Sequence, residues 1–226
     1  MVAASPDPEE TRGQRMAGMD AFNSLAALPP ERRWHGQMAP VPVAVALIRQ
    51  TVDAGEELLL IRRAAGPYTG QWALVGGKWD FGETLAEAIV REVREETGLT
   101  TAFVALRALV SERVAPWTAD TPAAHFLLLV CDLVVRDGTA AEQQEGLVDW
   151  FDPATIETLY AEGRIIPSDY AMIREFGAAT RSSAYVEVEM RALLDGTAAQ
   201  PSQMVRFTRV DQEWNAGDAD QADGRG

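Results

Sequence analysis

Three glutamates, Glu92, Glu95 and Glu96, cluster near the middle of the sequence. On a helix turning about 100° per residue they fall within a sector of roughly 100°, so their carboxylates share one edge. Like charges held so close repel one another, weakly on an exposed helix and more strongly when shielded from water. A divalent cation removes that repulsion. Hard oxygen ligands suit Mg²⁺ or Mn²⁺, and Mg²⁺ usually works beside phosphate. An acidic run is also the ordinary make-up of a solvated helix face. The residues around the three glutamates have to decide between the two readings.

Those residues spell out a positioned helix. Thr84 with Glu87 forms a capping box that starts it, and Gly98 can turn left-handed and stop it. Ala86, Ile89, Val90 and Val93 form an adjoining apolar face expected to dock on a sheet. Upstream, Gln71 to Val75 reads as a short strand feeding Gly76-Gly77, where the backbone can approach a ligand closely. Strand, loop and helix together present the carboxylates along one edge of a buried stripe.

The whole stretch from Gly77 to Leu99, GKWDFGETLAEAIVREVREETGL, keeps a fixed rhythm. Gly77 is followed after five residues by Glu83, and after seven more by Arg91-Glu92-Val93-Arg94-Glu95-Glu96, then Thr97-Gly98-Leu99. It resembles the Nudix box of the Nudix hydrolases at every fixed position, with Val93 and Leu99 as the bulky aliphatics. The resemblance covers about residues 40 to 160 and is specific in the box. It implies an α/β fold, a three-layer α/β/α sandwich around a mixed β-sheet. It also implies roles. Glu92, Glu95 and Glu96 match the metal-binding glutamates, with Glu96 shared between ions, and Gly76 would offer a backbone carbonyl. Arg91 would hold carboxylates by a bidentate pair, which lysine fills less well. Glu83 would support the site through Arg91 or water.

The reaction implied is metal-dependent hydrolysis of the pyrophosphate bond of a nucleoside diphosphate linked to another group. Bound metal lowers the pKa of a water and faces the charge of the transition state. LLLIRRAAGPYTGQWALVGG resembles Nudix enzymes acting on ADP-ribose or on nucleoside triphosphates. Arg62 and Arg63 are the candidates to meet a substrate phosphate. Trp117 is either a base-stacking platform or a packing residue, and Trp79 has the same two readings. The catalytic base is either Glu92 in the box or a glutamate of the loop Asp137 to Gly146, where Glu145 is preferred to Glu142. The other class of reading is a non-catalytic Nudix-like domain that binds a nucleotide as a sensor. The intact box and the lack of a basic recognition helix favour the enzyme.

Composition sets the outer limits. The chain has 226 residues, 47% of them hydrophobic, and a net charge of −14. That charge argues against nucleic acid or an anionic membrane as partner, and it leaves local arginine and metal to receive a polyphosphate. Cys131, the single cysteine, cannot form an internal disulfide and reads as a small buried hydrophobe, which fits a reducing cytoplasm. No apolar run reaches about 18 residues, and no signal-peptide core is visible.

Four segments are expected: an N-terminal extension over 1–38, the catalytic domain over 39–165, a C-terminal helix and strand extension over 166–214, and a polar tail over 215–226. The first fifteen residues and the tail read as disordered, with a short helix over 20–28. Strands are expected over 41–48, 57–62, 71–75, 101–114, 124–135 and 147–151. A helix runs from Asp152-Pro153 to Tyr160, and another over 169–179 is capped by Pro167-Ser168. Residues 184–210 alternate with period two and read as a β-ribbon, a helix over 184–195 being the competing reading. A two-strand ribbon is marginal alone, so it should pack on the core or on a second subunit, and the family resemblance adds the expectation of a homodimer. His35 reads as a surface residue and His125 as a satisfied strand histidine.

Overall fold

The structure, a computed structural model, describes residues 25–65, 68–115, 122–178, 181–191 and 203–209, and only the backbone of 188–191 and 203–209. The polar tail, the loop carrying Pro116 and Trp117, and the expected disorder of the first fifteen residues lie outside them. So does most of the helix expected over 20–28, of which Leu25–Ala27 forms a 3-10 turn. The chain divides into two compact units, Met1–Pro42 with Ser111–Leu127, and Val43–Val110 with Leu128–Gly226.

The first unit is held by one arginine and one amide. Arg33 donates to the carbonyls of Leu28 (2.8 Å), Gln37 (3.1 Å) and Ala26 (3.2 Å), spanning three 3-10 turns. Gln37 accepts from His125 N–H at 2.9 Å and donates to its carbonyl at 3.3 Å. The His125 ring reaches Ser111 Oγ at 2.9 Å, so this histidine is satisfied, while His35 is exposed.

The sheet has six strands in the order β4-β5-β1-β3-β2-β6. These are β1 (Val41–Val52), β2 (Gly55–Arg63), β3 (Trp72–Lys78), β4 (Thr100–Val114), β5 (Ala124–Asp137) and β6 (Gly146–Phe151). Apolar residues fill both faces: Ala44, Ala46 and Ile48 join the main core, and Val45 and Leu47 opposite them are buried as well. Such two-sided burial is why these strands read as continuous apolar runs. β3 extends past the expected end at Val75 to Lys78, because β1 still offers partners there: Val45 opposite Gly76, Ala44 opposite Gly77 and Val43 opposite Lys78.

Helices α1 (Leu85–Thr97), α2 (Pro153–Ala161) and α3 (Pro167–Phe176) complete this unit. α2 is capped as its sequence predicts, Asp152 accepting from Ala154 N–H and Thr155 N–H. α3 differs from expectation. Its N-cap is Ile166, and Pro167 stands inside the helix, where its missing N–H costs nothing. It ends at Phe176, short of the expected 179. Asp169 therefore falls in its first turn, buried, where it accepts from Leu74 N–H on β3 at 2.8 Å. Residues Val186–Arg191 (β7) and Gln203–Arg209 (β8) pair antiparallel, so the ribbon reading holds over the helical one.

One buried ion cluster lies inside the sheet. Asp132 on β5 accepts from Arg49 on β1 at 2.6 Å and is gripped by Arg107 on β4. Arg49 also donates to Gly177 O at 2.8 Å, just beyond α3. Cys131 is buried beside this cluster, and burial pushes its thiol far up.

Candidate active site

α1 begins and ends where its sequence predicts. Thr84 Oγ1 accepts from Glu87 N–H at 3.2 Å while Glu87 Oε2 accepts from Thr84 N–H at 2.8 Å. Gly98 closes the helix at φ 75°, a conformation that favours glycine. The buried stripe is rotated from the expected one. Leu85, Ala88, Ile89 and Val93 are its buried apolar members, whereas Ala86 and Val90 are only half-buried. The residues at 85, 89, 92 and 96 follow helical spacing, so Glu92 and Glu96 lie within the stripe instead of along its edge. Glu96 is 6% exposed; Glu95, one residue back, is exposed.

Arg91 organises the outer half of the site. Its Nε reaches Glu83 Oε1 at 2.7 Å and its Nη2 reaches Glu83 Oε2 at 2.9 Å, the expected bidentate fork. Its Nη1 reaches Glu92 Oε1 at 2.8 Å and Glu95 Oε2 at 3.3 Å. Glu83 falls below the usual carboxylate range, chiefly through its hydrogen bond to Arg91, which rises in turn. Trp79 Nε1 donates to Glu83 O at 2.9 Å and packs against the core, so Trp79 is a packing residue.

The inner half gathers carboxylates around Glu96. Glu96 Oε2 accepts from Gly76 N–H at 2.8 Å. Burial pushes the Glu96 carboxyl up from 4.5 to about 8, with a hydrogen bond to Glu145 and the charges of Glu145 and Glu92 adding to it. Burial raises Glu92 too, against the pull of Arg91. The backbone of β3 closes the site: a Cβ added at Gly77 would stand 2.4 Å from Glu92 Oε2, and one at Gly76 would stand 2.1 Å from Ala44 O. Gly76, at φ 148° and against backbone, requires glycine, while a side chain at Gly77 would displace the Glu92 carboxylate.

Sheet register delivers the rest. On β2, Leu59 and Ile61 pack in the core shared with α1, so by strand alternation Arg63 continues that face and Arg62 the opposite one. Arg62 is exposed, with Nε on Gly70 O at 3.1 Å. Arg63 stands opposite Gly146 on β6, and Ala64 N–H donates to Glu145 O at 3.2 Å. One strand pairing therefore brings the end of β2 to Glu145, which in turn meets Glu96. Glu142 is exposed in the same loop.

Among the described residues no group of three or more His, Cys, Asp or Glu side chains stands arranged to hold a metal ion. Glu92 is turned to Arg91 and Glu96 to Gly76 N–H. The donor chemistry fits a hard cation all the same. Glu92, Glu96 and Glu145 are mutually repelling oxygen donors, and the Arg91 guanidinium is shared among Glu83, Glu92 and Glu95.

Residues 40–176 match the NUDIX domain model. The ADP-ribose pyrophosphatase of Methanocaldococcus jannaschii is 31% identical over 119 residues, 53% of this chain and 68% of that protein. The 8-oxo-dGDP phosphatase NUDT18 of Mus musculus is 32% identical over 116 residues, 51% of this chain and only 34% of that protein. A NUDIX hydrolase structure from Nitrosomonas europaea superposes with a TM-score of 0.52 at 21% identity, covering 64% of this chain and 93% of that one, a likeness of fold. The chain belongs to the NUDIX domain family, and it is a hydrolase of that family.

Proposed function

We propose that this chain cleaves the pyrophosphate bond of a nucleoside diphosphate linked to another group, an ADP-ribose-like or related nucleotide substrate, with the help of Mg²⁺ or Mn²⁺. The observation that carries this reading is the convergence of Glu92, Glu96 and Glu145 beside Gly76-Gly77, with Glu96 buried and raised by its acidic neighbours. The ADP-ribose pyrophosphatase relative supports the substrate class.

Glu96 and Glu92 would hold the cation, with the Gly76 carbonyl as backbone ligand and Glu95 joining from the exposed side. Held there, a cation would supply positive charge against the diphosphate and activation of water at neutral pH. Arg91 keeps Glu92 and Glu95 aimed, and Glu83 holds Arg91 through the fork. Glu145, which reaches the site from the β6 end, takes the proton from the attacking water. Arg63 continues the face of β2 that packs with α1 and would meet a substrate phosphate, whereas Arg62, on the opposite face, would not. A reducing cytoplasm, which the single cysteine fits, and a homodimer are part of this reading, and sedimentation at enzyme concentrations checks the dimer.

The test is release of nucleoside monophosphate from ADP-ribose, nucleotide sugars and nucleoside triphosphates, with Mg²⁺ or Mn²⁺ and with a chelator. Turnover of one class that a chelator abolishes is expected. Turnover that survives complete chelation refutes the metal role.

A further inference from the structure

The NUDIX match ends at residue 176, yet a later segment reaches back to the glutamate-bearing helix. Residues 181–187 lie against the edge strand β4: Ser183 N–H donates to Leu106 O at 2.7 Å and Ser183 Oγ donates to Arg107 O at 3.0 Å. Tyr185 follows, packed against the core that α1 shares with the sheet. Glu187, at the start of β7, then accepts from Leu85 N–H at 3.2 Å. Leu85 is the first residue of α1, and its N–H is one of the donors that no helix satisfies internally. Tyr185 donates its hydroxyl to the same Glu187 oxygen and shares the Leu85 N–H.

The capping box of α1 serves Thr84 N–H and Glu87 N–H, and it leaves Leu85 N–H to Glu187. A carboxylate at this end of a helix also faces the positive pole of its dipole. α1 is thus fixed at its first residue from outside the family domain, while Glu96 fixes its last turn to Gly76 N–H on β3. With both ends tied, the helix has little freedom to slide or rock, and Glu92 and Glu96 keep their place against β3.

We propose that Glu187, oriented by Tyr185, is a positioning residue: the segment 181–187 clamps the start of α1 and so sets the carboxylates that receive the cation. This rests on the metal reading given above. It assigns to the C-terminal extension a role in the reaction without contact to substrate or metal.

The experiment uses the full chain and Mn²⁺ as probe. Mn²⁺ binding is measured by titration calorimetry, and hydrogen exchange of the α1 amides is followed in metal-free protein, for unsubstituted protein, Glu187→Ala, Glu187→Gln and Tyr185→Phe. Glu187→Ala should expose the first turn of α1 to faster exchange and weaken Mn²⁺ binding by about tenfold, the low end for residues that orient metal ligands. Glu187→Gln keeps an oxygen acceptor and should restore both. Tyr185→Phe keeps the ring in the core and should give a smaller loss of the same sign, so the inference stays testable if Glu187→Ala fails to fold. Mn²⁺ affinity unchanged in Glu187→Ala, or in Tyr185→Phe where the alanine variant does not fold, overturns the positioning role, as does a Gln variant as weak as Ala. Unsubstituted protein that binds no Mn²⁺ overturns the metal reading itself, and the inference with it.

Discussion

Two buried carboxylates in this molecule sit at nearly the same depth in opposite company. Asp132 is 7% exposed and lies between Arg49 and Arg107. Glu96 is 6% exposed and faces Glu145 and Glu92, with the Gly76 N–H on one of its oxygens. Depth is equal, so the difference lies in the neighbours. A buried acid between two guanidiniums is balanced and ties three strands together. A buried acid among other acids holds on to its proton unless a positive charge joins it, an arrangement common at working sites.

If the Asp132 cluster is structural, breaking it should cost stability and leave chemistry alone. Asp132→Ala strands two largely buried guanidiniums and should lower unfolding stability by about 3–5 kcal/mol. Denaturant titration measures that loss, and turnover per folded molecule should stay near the unsubstituted value. Glu96→Gln should do the reverse. Turnover should fall by at least about a hundredfold, since a metal-activated water contributes several kcal/mol, while metal-free protein should unfold no more easily. A Glu96→Gln enzyme with ordinary turnover, or an Asp132→Ala protein of ordinary stability, erases the contrast.

Glu145 sharpens the comparison at the functional end. As general base it contributes on the order of a hundredfold to kcat. Glu145→Gln should lose that factor, keep most of its metal affinity, and flatten the acidic limb of the pH–rate profile. A silent Glu145→Gln beside a Glu92→Gln variant that loses the limb moves the base into the box.

The two clusters also differ in how far they can be read from the chain. The box is legible because its residues are local: spacing alone puts Glu92 and Glu96 on one helix, and Thr84, Glu87 and Gly98 fix the ends of that helix. What spacing left open was the rotation of the stripe, decided by Leu85 and Ala88 packing on the sheet, which buries Glu96 and leaves Glu95 outside. The Asp132 cluster was invisible, since Arg49, Arg107 and Asp132 come from three strands whose neighbourhood no local pattern states. The approach of the end of β2 to Glu145 depends likewise on the β2–β6 register. Glu187 meets Leu85 across 102 residues of sequence. Alternation around Glu187 indicated a strand, and nothing in it indicated a helix end as the target.

The smallest expected effect is in the pH dependence of the metal-free protein, and its sign follows from Glu96. Glu96 ionises near 4.5 in the unfolded chain and near 8 in the folded one. Between those values the unfolded state has released its proton and the folded state still holds it. The folded state therefore binds more protons, and stability must fall as pH rises through this window, levelling off above about 8. Glu92, also raised by burial, pushes the same way. Glu83, Asp152 and Glu157 are lowered, so their contributions are lost only on acidification, below the window. Chelator-treated protein should thus lose a few degrees of Tm between about pH 6 and 8.5. Glu96→Gln should remove most of that slope, and saturating Mg²⁺ should reverse it by binding the ionised site. A metal-free Tm that instead stays flat across this range would mean that Glu96 is already ionised at neutral pH in the folded protein.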